Sequence, residues 1–297
     1  MTHPQGPFKS LLGPKPVTAL PAPASFQTPA PQEASISIPP TSTTKSSSEG
    51  EPHQGDAAIR KVHFILNSKG GVGKSFVAFL LALHYRHARE PVLCFDADAT
   101  TATFSRFAAL NVTRITLMEG TLLNARRFDE MLEPILAEDA HCVVDTGTSS
   151  FVAISHYLIE NDVHEQIRLS GKKVLVHAII VGGSTLKETL NDLYELARQL
   201  PPEVDIVVWL NEHFGLIRQA GKSFADMEVF KQNRHRIRGI VHLPLRTPAT
   251  FGEDIKEMMA RHLTFAEAVA SPDFSLMAKQ RLRIIEIDVR KKLRAVL

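Results

Sequence analysis

The chain has 297 residues, 44% of them hydrophobic, enough to bury the core of one large α/β domain or two small ones. A formal net charge of +2 gives no whole-molecule basic field of the kind that draws a protein to nucleic acid, so any such surface must be local. The two cysteines, Cys94 and Cys142, each stand inside an apolar run, which argues against a disulfide framework and for a reduced, cytoplasmic chain, and no apolar run reaches the ~18 residues of a membrane span or resembles an export signal.

Residues 1–57 hold eleven of the eighteen prolines and a Thr/Ser-rich run at 41–48, with Phe8 and Phe26 as the aromatic residues. Such a segment buries too little apolar surface to offset its chain entropy and is expected to be a disordered tail, serving as a spacer or a partner-docking arm. Residues 58–297 read as one domain. Short β-branched and aromatic runs at 61–67, 91–96, 141–145, 173–181, 205–211 and 237–243 alternate with helical patterns at 73–89, 128–137, 151–160, 185–199, 250–261 and 275–294. The strand runs are nearly continuous in apolar residues, as expected for a mostly parallel sheet covered by helices on both faces, a three-layer α/β fold.

Between the first strand and the first helix lies Lys69-Gly70-Gly71-Val72-Gly73-Lys74-Ser75. Glycines permit close backbone approach, inward-pointing amides and a helix N-terminus favour negative charge, Lys74 reaches β- and γ-phosphates, and the Ser75 hydroxyl is placed to ligate Mg²⁺. Val72 and Phe76 belong to the same nucleotide-contacting run. Against the pattern G-x-x-x-x-G-K-[ST], position 68 is Ser rather than Gly. The strand His141–Asp145 ends in a carboxylate followed by Thr146-Gly147-Thr148, so Asp145 is the candidate Mg²⁺ holder. Asn211 closes the strand run 205–211, where its amide can pair an adenine edge, and the following Glu212-His213-Phe214 lacks the Asn-Lys-x-Asp run of a guanine reader, which favours ATP.

The run from Lys69 to Ser75 resembles the deviant Walker A motif of the ParA, MinD and arsenite-pump P-loop NTPase superfamily. The resemblance implies an ATPase that converts ATP and water to ADP and phosphate, with Lys69 crossing an ATP-dependent homodimer to touch the partner's phosphates. It assigns Asp98, in the Asp96-Ala97-Asp98 sequence, to positioning the attacking water, although Ala99 stands where many relatives have proline. Asn211 matches the superfamily's adenine-contacting residue, and Pro244 stands where relatives wrap backbone around the base.

Longer stretches resemble the TraL proteins of plasmid conjugal-transfer regions: 61–75, 145–158, 208–211, 221–224, 263–268 and 280–283, with the run after Asp145 the most specific. This implies an accessory ATPase linked to conjugative transfer or a secretion apparatus. The last predicted helix carries Lys279, Arg281, Arg283, Arg290, Lys291, Lys292 and Arg294 opposite Leu282, Ile285, Val289 and Leu293, which suits a solvated face or, by analogy with ParA-type relatives, non-specific DNA contact. The thirteen histidines show no metal-ligand spacing. A competing expectation is a partition-type or DNA-associated adaptor that holds ATP with little turnover. A third, a metabolic kinase, would need an acceptor pocket and lid that no sequence feature marks.

Overall fold

The computed structural model describes residues 59–119 and 122–297, so the expected disordered tail lies outside the described residues. In chain order the elements are β1 (Lys61–Ile65), α1 (Lys74–Ala88), β2 (Val92–Ala97), β3 (Thr113–Arg114), β4 (Met118–Glu119), β5 (Leu122–Leu123), α2 (Asp129–Ala137), β6 (His141–Thr146), α3 (Phe151–Glu160), α4 (Val163–Leu169), β7 (Lys173–Val181), α5 (Leu186–Gln199), β8 (Asp205–Asn211), β9 (Arg218–Gln219), β10 (Lys222–Ser223), α6 (Glu228–Asn233), β11 (Ile237–Leu243), α7 (Glu253–Ala260), α8 (Phe265–Ala270) and α9 (Leu276–Val296). Seven strands form one sheet in the order β11-β8-β7-β1-β6-β2-β3, with every neighbouring pair parallel. Six of them are the six expected runs; β3 is an additional two-residue edge, and β4–β5 and β9–β10 are small hairpins.

Side chains alternate across β1 because successive Cβ atoms point to opposite faces. Val62 and Phe64 enter a core shared with α2, α3, α4 and α5, whereas Ile65 enters a second core shared with α1, α8 and α9. The predicted helix at 275–294 is α9, started by Ser275, whose side chain accepts from Ala278 N. Its inward residues Leu282, Ile285, Val289 and Leu293 are each at most 6% exposed. At about 1.5–3 kcal/mol per fully buried apolar side chain, this face outweighs the helix's partly exposed ion pairs, worth about 0–1 kcal/mol each. Among the described residues, no helix is long and apolar enough to cross a membrane.

One polar chain runs through the second core. Trp209 Nε1 donates to His177 Nδ1 at 2.8 Å, which leaves the His177 proton on Nε2, facing His63 Nδ1 at 2.8 Å; His63 Nε2 in turn donates to the Tyr85 hydroxyl at 2.6 Å. The donors and acceptors alternate correctly only if both histidines are neutral. Burial enforces this, pulling His177 down to about 3 and His63 well below its ordinary value. The chain thereby pins α1, through Tyr85, to three central strands.

Candidate nucleotide-binding site

The connection from β1 runs past β6 to β2, whereas those from β6 and β7 run the other way, to β7 and β8, so the connections diverge and open a crevice at the carboxyl end of β1. The loop between β1 and α1 fills that crevice. Gly71 and Gly73 have φ of 76° and 102°, a left-handed backbone that glycine adopts without strain. A Cβ on Gly73 would also lie 3.1 Å from Asn211 Nδ2. Lys74, 8% exposed, folds back over the loop, and its ammonium donates to the Lys69 carbonyl at 3.0 Å and to Thr148 Oγ1 at 3.1 Å. Burial lowers its pKa, against the opposing pull of Asp145, Asp98 and Asp192. Lys74 therefore bridges the loop and the segment after β6, across the space where the loop's amides would hold phosphate. Lys69 instead points outward, with its ammonium 3.6 Å from Glu188 and both side chains nearly half exposed.

Ser75 opens α1 beside Asp145, and Asp145 pairs in register with Ile65 of β1 and Asp96 of β2. Asp145 is fully buried, and neither of its carboxylate oxygens has a hydrogen-bond partner. Burial pushes this carboxyl up to about 8, opposed by Lys74 and by the Ser75 hydroxyl, which lies near it but outside hydrogen-bonding geometry, and reinforced by Asp96 and Asp98. A buried carboxylate without donors is costly, and a hard divalent cation is what relieves it. Among the described residues, no group of three or more His, Cys, Asp or Glu could hold a metal alone. Mg²⁺ fits this donor set, because it binds through one or two protein oxygens while keeping waters and substrate phosphates; Ser75 and Asp145 are the residues that would hold it.

Asp98 lies in the same crevice but is turned onto its own loop. Its Oδ1 accepts from Thr100 N at 2.9 Å, Thr100 Oγ1 at 2.8 Å and Thr101 N at 3.3 Å, while Oδ2 accepts from Thr101 Oγ1 at 2.5 Å. Burial raises its pKa, but the Thr101 and Thr100 hydrogen bonds outweigh this and hold the carboxyl below the usual range. An ionised, weakly basic carboxylate can orient water better than it can deprotonate it. Thr100 and Thr101 explain the arrangement: two and three residues past the carboxylate, their amides and hydroxyls fold back onto it as donors. Gly147, following β6, packs directly on Asp98, and a Cβ there would fall 2.4 Å from Oδ1 and 3.0 Å from the Asp98 Cα.

On the far side of the loop, Phe76, Asn211 and Pro244 line one cavity. Asn211 does more than face it: its Nδ2 donates to the Val72 carbonyl at 3.0 Å and its Oδ1 accepts from His213 N at 3.2 Å, so the side chain ties β8 to the phosphate loop. The cavity's remaining wall comes from residues that sequence reasoning missed. Arg246 pairs with Asp288 at 2.6 Å and lies 5.3 Å from the Phe251 ring centroid, and Val289 of α9 closes the floor. Two of the seven basic residues of the last helix are committed internally: Arg281 to Asp254, and Lys292 to Asp288 and the His242 carbonyl. Its outward face alternates Arg283, Lys291 and Arg294 with exposed Leu276, Met277, Ile284 and Ile287.

No family model matches the chain. It is 38% identical over 237 residues to Protein TraL of Escherichia coli, covering 80% of this chain and 98% of that protein. A second Protein TraL of Escherichia coli is 37% identical over 231 residues, covering 78% and 96%. Among solved structures, the MinC:MinD cell division protein complex of Aquifex aeolicus aligns with a TM-score of 0.47 at 12% identity over 79% of this chain and 96% of that one. A plasmid partition protein from Borrelia burgdorferi aligns with a TM-score of 0.38 at 16% identity, over 62% and 91%.

Proposed function

The chain belongs to the TraL family, and from that premise we propose that it is a Mg²⁺-dependent switch protein that binds and hydrolyses ATP, acting as an accessory ATPase in conjugative plasmid transfer. The observation that carries the reading is the meeting of Lys74, folded across a left-handed glycine loop, with the donor-starved carboxylate of Asp145. On ATP binding, Lys74 exchanges the Lys69 carbonyl and Thr148 for phosphate oxygens. A Mg²⁺ held by Ser75 and Asp145 would neutralise charge that develops on the phosphates. Asp98 leaves Thr100 and Thr101 to orient a water, whose attack on the γ-phosphorus gives ADP and phosphate. Phe76, Asn211 and Pro244 seat the adenine. Lys69 is free to leave its exposed Glu188 pair and cross to a second subunit's phosphates, since such surface pairs are worth about 0–1 kcal/mol.

One observation favours a second reading, an adaptor that holds ATP with little turnover and contacts DNA or another component: in this structure both Asp98 oxygens are satisfied by its own loop. The two readings share nucleotide binding and separate at dimerisation and phosphate release. Size-exclusion chromatography with light scattering, in Mg²⁺ with a slowly hydrolysed ATP analogue, is expected to show a dimer for the wild type and a monomer for Lys69→Ala. A Lys69→Ala protein that dimerises and turns over ATP as the wild type does would refute the crossing lysine.

A further inference from the structure

Asp192 on α5 is a buried carboxylate that the reading above does not use. It stands on the helix's inward face, beside Thr189 and Leu193, and is 5% exposed. Its oxygens accept from the first residues of the phosphate loop: Ser68 Oγ at 2.6 Å on Oδ1, and Ser68 N at 2.9 Å and Asn67 Nδ2 at 3.3 Å on Oδ2. Asn67 in turn pairs both ways with the backbone of β7, since its Oδ1 accepts from Ile179 N at 2.8 Å and its Nδ2 donates to Ile179 O at 3.0 Å. Beyond Ile65, where β1 ends, a side-chain ladder thus continues the sheet and delivers the chain to the loop. Position 68, where the phosphate-loop pattern has glycine, has no positive φ here, so serine fits without strain and its hydroxyl reaches the carboxylate.

A negative charge placed beside a phosphate site opposes phosphate binding through space. Its presence is explained if the donors it organises matter more than the repulsion. We propose that Asp192 is a positioning residue for the phosphate loop: by clamping Ser68 and Asn67 it holds the loop between β1 and α1 in its phosphate-ready conformation and couples that loop to α5. The same helix carries Glu188, the partner of Lys69, so a movement of the loop on nucleotide binding is transmitted to α5 from two points four residues apart in sequence.

The proposal rests on the nucleotide reading only for its effect on affinity, and the experiment separates the two. Amide hydrogen exchange on the free full-length protein needs no ligand: Asp192→Asn and Ser68→Ala are each expected to speed exchange of the amides at 69–73 about tenfold, with β8 amides unchanged. Unchanged exchange in the loop would overturn the clamp. Calorimetry with Mg·ATP then reads the consequence. Asp192→Asn is expected to weaken ATP about tenfold although it removes a repelling charge, and Ser68→Ala in that background is expected to add less than it does alone. Tighter ATP binding by Asp192→Asn, or additive effects of the pair, would overturn the positioning role. A merely structural role would lower the melting temperature of both variants while leaving loop exchange and affinity at wild-type values. If the wild type binds no ATP, the nucleotide reading fails while the exchange result still decides the clamp.

Discussion

Asp145→Asn is expected to make the free protein more stable while removing its Mg²⁺-dependent chemistry. The side chain is fully buried, both of its oxygens lack donors, and burial sets its pKa near 8. The folded state therefore holds a proton that the unfolded chain, with an ordinary carboxylate, has released. The associated stability is fully present below the unfolded carboxylate range near pH 4 and is lost as pH rises through about 8. An amide cannot ionise, so the variant escapes that loss. Urea unfolding in the absence of divalent metal should show Asp145→Asn ahead by roughly 3 kcal/mol at pH 8 and above, with the advantage shrinking towards pH 5. His63 and His177 pull the other way, since their depressed pKa values make the fold lose stability as pH falls below their unfolded value near 6.5. They are present in both proteins, so they cancel in the difference. Mg²⁺ with ATP should stabilise the wild type and leave the variant where it was. Equal stability of the two free proteins at pH 8 would show that Asp145 is not the uncompensated charge the site implies.

Gly147→Ala is expected to act on Asp98 directly. The added methyl would stand 2.4 Å from Asp98 Oδ1, 2.7 Å from its Cγ and 3.0 Å from its Cα, so a change of side-chain rotamer alone cannot relieve the contact and backbone must move. Overpacking of this kind costs about 1–3 kcal/mol of stability. If Asp98 orients the attacking water as proposed, its displacement should lower turnover by on the order of 100-fold. Gly70→Ala is the contrast for stability. Its Cβ would make an ordinary 3.5 Å contact with Thr148 Oγ1, and Gly70 has no positive φ. Its melting temperature should stay near the wild-type value. Thermal melts and phosphate release on the two variants test the pair, and a Gly147→Ala protein with wild-type turnover would remove Asp98 from the reaction.

The central strands were legible in the sequence because they are buried on both faces and therefore apolar without interruption. The runs at 173–181, 205–211 and 237–243 coincide with β7, β8 and β11. Elements much shorter than the roughly 11–18 residues over which a hydrophobic period can be read were missed, among them the two-residue β3 and the six- and seven-residue helices α4, α6 and α8. The helix expected over 250–261 begins instead at Glu253, after a wide turn over Pro248–Gly252 that lines the cavity beside Asn211 and Pro244. Lys74, Ser75 and Asp145 could be placed because strand ends and a glycine loop fix them by covalent connection alone. The conformation of Asp98 could not, since it depends on which hydroxyls of Thr100 and Thr101 fold back. Nor could the outer wall of the cavity beside Asn211, which brings Arg246 against Asp288 from another element. Asp192 did leave a trace: it is the one carboxylate on the apolar stripe of 186–199 formed by Leu186, Leu190, Leu193, Leu196 and Ala197, where a charge needs dedicated partners.

The central claim, that this loop and these carboxylates hydrolyse ATP, is tested most directly by phosphate release from the purified full-length protein in Mg·ATP, compared with Lys74→Ala. Wild-type release that requires Mg²⁺ and falls by at least ~100-fold in Lys74→Ala is the expected result. Release that Lys74→Ala leaves unchanged, or tight ATP binding by the wild type with no phosphate produced, would contradict it.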